Sequence, residues 1–183
     1  MASPTRPLAT GLKLRSSRLD RLDRRITLWL ASSSITLLRV ALGLLFLWFG
    51  ALKFIAGASP AEELATRTIE TMSFGIVGPA ISLPLLAGWE VLIGLGLVTG
   101  WFLRATLALL ALQMVGTLSP LFLFPGETFN GSFLVPTLEG QYIIKNLVII
   151  TAAMVIGATV RGGRLEAEPP VTGEPVSARN GTR

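Results

Sequence analysis

The chain has 183 residues, 51% of them hydrophobic, a mean hydropathy of +0.63 and a formal net charge of +5. That balance excludes an ordinary soluble domain of this length and fits a small polytopic membrane protein. With no cysteine and no histidine, the chain itself cannot carry disulfides, thiol redox chemistry, cysteine-held iron–sulfur clusters or haem on a histidine ligand.

Residues 1–15 read as a disordered tail, and the first 34 residues are too polar to form a cleavable signal peptide. From 16 to 31 a pattern emerges. Leu19, Leu22, Ile26 and Trp29 recur at helical spacing, with Arg18, Arg21, Arg24 and Arg25 between them. This predicts a basic amphipathic helix, either contacting an anionic membrane surface through those arginines or packing on the inner mouth of a bundle. Asp20 and Arg24 form an i,i+4 pair on its polar side. Ser32, Ser33 and Ser34 break the pattern and are placed to cap the next helix.

The transmembrane domain is expected over about 35–160, with spans near 35–56, 80–100, 103–124 and 140–160, each close to the roughly 20 helical residues that a bilayer core requires. In the first span Arg39, Gly43, Phe46, Gly50 and Lys53 share one helix face, and the other faces are Leu, Val, Phe and Trp. Between the first two spans, Ser59-Pro60-Ala61-Glu62 starts a short helix to about Met72, lying across the mouth of the bundle with Leu64, Ile69 and Met72 on its apolar side. In the second span Ala87, Glu90, Gly94 and Leu97 share a face whose small residues allow close helix contact. The third span carries Gln113 near its middle, and the fourth brings Lys145 and Asn146 into the hydrocarbon. Residues 165–183 are rich in Glu, Pro and Gly and are expected to be disordered. The fold class is therefore an all-α membrane protein: a four-helix antiparallel transmembrane bundle with an amphipathic N-terminal helix and a short outer helix.

Charge sets the orientation. Seven Lys and Arg residues lie between Arg6 and Arg25, Arg104 lies in the second turn, and Arg161 and Arg164 come after the last span. The two long loops carry one basic residue, Arg67, against Glu62, Glu63, Glu70, Glu127 and Glu139. The positive-inside rule puts both termini in the cytoplasm and the long loops outside. The basic excess thus reports topology, and nucleic acid is not an expected partner.

With that orientation, Lys53, Glu90, Gln113, Lys145 and Asn146 all fall at depths that let them converge as a polar pocket in the outer half of the bundle. A lone central charge costs roughly 2.5–3.5 kcal/mol to insert, which favours pairing Glu90 with Lys145 or with Lys53. Alternatively Lys53 snorkels to the outer headgroups, as Arg39 is expected to do at the inner ones. Glu90 is too short and too deep to snorkel, leaving it ion-paired, protonated and hydrogen-bonded, or lining a wet pocket. Gln113 and Asn146 have the plainer reading of interhelical hydrogen-bonders. No catalytic residues and no metal ligands stand out.

The stretch Leu37-Leu38-Arg39-Val40-Ala41-Leu42-Gly43, followed by Phe46-Leu47-Trp48-Phe49-Gly50-Ala51-Leu52-Lys53-Phe54, resembles the first span of the DoxX-like family of bacterial integral membrane proteins. Gly140-Gln141-Tyr142-Ile143-Ile144-Lys145-Asn146-Leu147 is similar to that family's fourth span, and Ser59-Pro60 and Trp89-Glu90 stand where it has its outer helix and a polar position of span two. The resemblance extends over roughly 35–160. It implies a four-helix protein of the bacterial inner membrane, related to subunits of a quinone-reducing thiosulfate oxidoreductase and to proteins of oxidative or thiol stress. It supplies no catalytic motif, and without cysteine any thiol chemistry of distant relatives cannot be done here. The expected function is a non-catalytic accessory subunit of a membrane redox or oxidative-stress system, with membrane or soluble redox proteins as partners. Its outer-half pocket would bind a quinone or another small molecule, and the chain holds no cofactor of its own. The alternatives are a small proton-coupled transporter with Glu90 as proton carrier, favoured by the Pro84 and Gly interruptions of span two, or a structural partner with no ligand.

Overall fold

The computed structural model describes residues 9–55, 57–59 and 62–166, with side chains described from residue 18 onward. Eight helices occur in order among these residues: α1 (Ala9–Leu52), α2 (Glu62–Met72), α3 (Pro79–Thr99), α4 (Leu103–Leu118), α5 (Pro120–Leu123), α6 (Pro125–Thr128), α7 (Leu138–Ile144) and α8 (Asn146–Thr159). Among the described residues the only β pairing is an isolated bridge between Phe129 and Pro136. Four described stretches are long and apolar enough to cross a membrane: Arg18–Leu52, Pro79–Thr99, Leu103–Leu123 and Leu138–Thr159. The protein is a helical membrane bundle.

Local chemistry sets the helix ends. Pro79 opens α3 where its missing N–H would have had no partner. Gly100 closes α3 in the left-handed region at φ 76°, its N–H donating to the Gly96 carbonyl at 2.9 Å. The third crossing breaks at Ser119-Pro120, because proline cannot donate into the ladder, and the Ser119 hydroxyl donates to the Gly116 carbonyl at 2.7 Å instead. The fourth crossing is likewise two pieces, α7 and α8, meeting at Lys145. Thr137 caps α7, its Oγ1 accepting from the Gly140 N–H at 3.1 Å.

The chain divides into two compact units, one of them Ile35–Gly163 and the other made of the two ends. Within Ile35–Gly163 the core is built from Leu42 and Phe46 of α1, Ile93 and Leu97 of α3, Leu110 and Met114 of α4, and Ala152 and Ile156 of α8. Lipid tails are as apolar as these side chains, so close packing, not transfer from water, holds the helices together. Glycine permits that packing. A Cβ on Gly43 would lie 2.9 Å from the Val98 backbone nitrogen, and one on Gly94 would lie 2.7 Å from the Leu47 backbone nitrogen. The backbones of α1 and α3 therefore touch at this crossing. The expected small-residue face of α1 is the buried one: Gly43, Phe46 and Gly50 are buried, and Leu44, Leu45, Trp48 and Phe49 are exposed. In α3, Ala87, Glu90, Gly94 and Leu97 are all buried, as their shared face requires.

In the other unit, Leu19, Leu22, Ile26 and Trp29 are exposed along the helix, with Arg18, Arg21, Arg24 and Arg25 exposed between them. Ser32–Ser34 do not start a new helix, because α1 continues through them. The Ser32 hydroxyl donates to the Trp29 carbonyl at 2.9 Å, the back-bonding by which a serine is accommodated inside a helix. Of the disordered tail expected over 1–15, residues 9–15 are instead helical, as the start of α1; residues 1–8 and 167–183 lie outside the described residues, and so do Pro60 and Ala61 of the expected helix start before α2.

Candidate functional site

Glu90 lies on α3 about 16 Å along the helix from Pro79, near the middle of the crossing. It is 8% exposed. Both carboxylate oxygens are engaged. Oε2 accepts from Lys53 Nζ at 2.6 Å, and Oε1 accepts from Gln113 Nε2 at 2.8 Å. One side chain from α4, one from α3 and one just past the end of α1 thus meet at a single carboxylate. The α1–α3 glycine contact makes this geometry available: a Cβ on Gly50 would lie 2.9 Å from Glu90 Cβ. Lys53 also points back along its own helix, its Nζ standing 3.4 Å from the Phe49 carbonyl.

The choice left open by the sequence is resolved in favour of Lys53. Lys53 is an interior ion-pair partner, its side chain 13% exposed and turned to Glu90. Lys145 stays away from Glu90. Its residue is exposed, and its ammonium stands over the Tyr142 ring, 5.0 Å from the centroid. Asn146 turns its amide nitrogen back to α7, donating to the carbonyls of Tyr142 at 3.0 Å and Ile143 at 3.1 Å, and makes no bond to Glu90 or Gln113. Arg39 lies against Gly100, where a cation faces the negative end of the α3 dipole.

The cluster forms part of the wall of a cavity of about 470 Å³, within the range of small-molecule sites. Lys53, Glu90, Gln113 and Asn146 line it; Lys145 does not. The rest of the wall is mainly apolar: Phe46 and Phe49 from α1, Trp89 from α3, Met114 from α4 and Ile149 from α8. Leu64, Thr68, Ile69 and Met72 of α2 complete one side, as a helix across the mouth would. α2 is held there by Arg67, which pairs with Glu127 and stands 4.4 Å from the Phe124 ring centroid, and by Ser119 Oγ on Met72 Sδ at 3.2 Å. Two lining residues escape the sequence reading. Trp89, whose indole N–H donates to the Leu109 carbonyl at 3.3 Å, reads in sequence as an ordinary membrane aromatic. Glu139 reads as a loop charge, yet it occupies the first turn of α7 and lines the cavity. Its position after the Thr137 cap is the signal available in the sequence. Among the described residues no group of acidic side chains could hold a metal ion.

A bundle with four helices long and apolar enough to span a membrane, and a buried carboxylate held beside an apolar cavity, defines a small helical membrane protein. The family model described as DoxX matches residues 34–125, which takes in α1 from Ser34 onward, α2 to α5 and the cluster of Lys53, Glu90 and Gln113. The chain belongs to the DoxX family. Comparison with curated proteins and with solved structures gives no match.

Proposed function

We propose that this protein is an accessory subunit of a membrane redox or oxidative-stress system and binds a small amphiphilic molecule in its cavity, with a quinone as the first candidate through the family. The observation that carries the reading is the Lys53–Glu90–Gln113 cluster set in the wall of a 470 Å³ apolar cavity. A few convergent polar groups in an apolar concavity are the common makeup of small-molecule sites, and ionisable groups within a membrane are by default functional. A quinone ring would stack among Phe46, Phe49 and Trp89, and the one Lys53 proton not committed to Glu90 or the Phe49 carbonyl would face a ring carbonyl. Lys145 has no part in this reading, since its ammonium lies over Tyr142. The charge distribution supports placement in the bacterial inner membrane with both termini cytoplasmic and the α2 side of the cavity outward. The exposed stripe of Leu19, Leu22, Ile26 and Trp29, with Arg18, Arg21, Arg24 and Arg25 beside it, supports contact with an anionic membrane surface.

The experiment is to extract lipids from purified protein and, in parallel, to assay a deletion strain for quinone reduction and oxidant sensitivity. Protein-associated quinone and a deletion phenotype are expected. Protein free of quinone together with a silent deletion sinks the redox reading. The transporter alternative is served by Glu90 in the middle of α3 and by Pro84 within that helix; flux into proteoliposomes that ignores Glu90→Gln would remove it.

A further inference from the structure

Most hydrogen-bond donors around the cavity are spent on the protein itself. Gln113 Nε2 donates to Glu90, and Trp89 Nε1 to the Leu109 carbonyl. Asn146 Nδ2 donates to two carbonyls, Thr68 Oγ1 donates to the Leu64 carbonyl at 2.6 Å, and Thr117 Oγ1 donates to the Gln113 carbonyl at 3.0 Å. Lys53 keeps one proton beyond Glu90 and the Phe49 carbonyl, Gln113 keeps the second proton of its amide, and the exposed Tyr142 hydroxyl can act either way.

What remains is acceptor capacity. Asn146 turns its amide nitrogen to two backbone oxygens, which fixes its amide orientation and leaves Oδ1 facing away from those bonds. Gln113 is fixed the same way, because reversing its amide would set oxygen against the Glu90 carboxylate; its Oε1 is buried and, among the described residues, without a hydrogen-bond partner. Glu139 lines the cavity and makes no hydrogen bond or ion pair among the described residues, so its carboxylate is uncommitted. Two carboxylates, Glu90 and Glu139, stand against the single ammonium of Lys53 along this wall. The lining therefore carries a residual formal negative charge and a surplus of lone pairs.

We infer that the cavity selects an amphiphile whose head is a hydrogen-bond donor, a phenolic O–H or a protonated amine, received by Glu139 and Asn146, and that it disfavours heads that only accept. The inference rests on the cavity being a ligand site. It narrows the ligand, because within a quinone couple it picks the hydroquinone over the oxidised ring, whose carbonyls would find only one free proton on Lys53 and one on Gln113 and no use for the Glu139 carboxylate. An acceptor-only head would also leave the Glu139 carboxylate unsatisfied against apolar ligand atoms, and that costs more than a missing neutral contact.

The test uses the full chain in nanodiscs and four probes with the same decyl tail: decyl hydroquinone, decyl benzoquinone, decylammonium and decyltrimethylammonium, each titrated with empty nanodiscs subtracted. The two donors are expected to bind at least about tenfold tighter than their donor-free counterparts, the value of one added hydrogen bond to a charged group. Glu139→Gln should remove roughly that tenfold preference of decyl hydroquinone over decyl benzoquinone, and should weaken both ammonium probes, because it removes a charge that attracts either cation. The ranking of the two donors separates the sources: decylammonium tighter assigns the preference to the residual charge, and decyl hydroquinone tighter assigns it to the O–H. Decyl benzoquinone binding as well as or better than the hydroquinone overturns the inference and leaves a quinone site standing, as does a donor preference indifferent to Glu139→Gln. If none of the probes binds above empty nanodiscs, the cavity is not a site for such molecules, and the ligand reading falls with it.

Discussion

Removing one member of the Lys53–Glu90 pair should reveal how dry the centre of the bundle is. In Lys53→Met the Glu90 carboxylate keeps one partner, Gln113, and its side chain is only 10% exposed. Breaking a buried pair from one side costs about 3–5 kcal/mol, because the remaining charge is left without compensation. Glu90→Gln should be milder, about 1.5–3 kcal/mol for a lost charge-assisted hydrogen bond. Lys53 comes just after the end of α1 at Leu52, and its flexible stem can swing the freed ammonium toward the headgroups. An aspartate or glutamate in mid-helix has no such escape, which is the source of the asymmetry. The double variant removes both charges and leaves an amide pair at 90 and 113, so most of the loss should return. The two substitutions should couple by more than about 2 kcal/mol, above the largest value of about 1.7 kcal/mol seen for neutral hydrogen bonds between membrane helices. Reversible unfolding in mixed detergent and dodecyl sulfate micelles, followed by tryptophan emission, measures all four proteins. A coupling below about 0.5 kcal/mol, or a costlier Glu90→Gln than Lys53→Met, would refute the dry, paired cluster and point to a hydrated cleft.

Lys145→Met should show no coupling to Glu90→Gln in the same cycle, within about 0.5 kcal/mol, because the Lys145 ammonium lies over Tyr142. Gly50→Ala should weaken the Lys53–Glu90 coupling without removing either charge, because its new methyl meets Glu90 Cβ and the Val91 backbone; an unchanged coupling would contradict the close α1–α3 approach. Gly100→Ala should destabilise the protein by about 1–2 kcal/mol from its left-handed backbone alone, and further from collision with the Arg39 guanidinium. Arg39→Ala should recover the second part and not the first. Arg67→Ala, which removes the contacts to Glu127 and Phe124, should raise amide exchange in α2 by about tenfold while leaving α3 protected, read by hydrogen-exchange mass spectrometry.

Composition and periodicity are enough to establish four crossings, the short helix before the second, and the faces of α1 and α3 that turn inward. The reason is physical. A helix in lipid must satisfy its own backbone, so length and apolarity mark a span directly. Close contact between helices needs small residues on one face, so the spacing of Gly43, Gly50 and Gly94 is legible in the sequence alone. The polar set is legible for the same reason, because charges stand out in an apolar run. Pairing is not legible. Lys53 and Lys145 both sit at a depth that could reach Glu90, and sequence depth contains no information about azimuth. Only the packing of α1 against α3, backbone to backbone at Gly43 and Gly94, turns Lys53 toward the carboxylate, while the break between α7 and α8 leaves Lys145 over Tyr142. The cavity is likewise a tertiary result, since α2, α3, α4 and α7 each contribute part of a wall that no single segment encodes. So is the role of Glu139, an ordinary loop carboxylate by sequence, which the start of α7 brings to that wall.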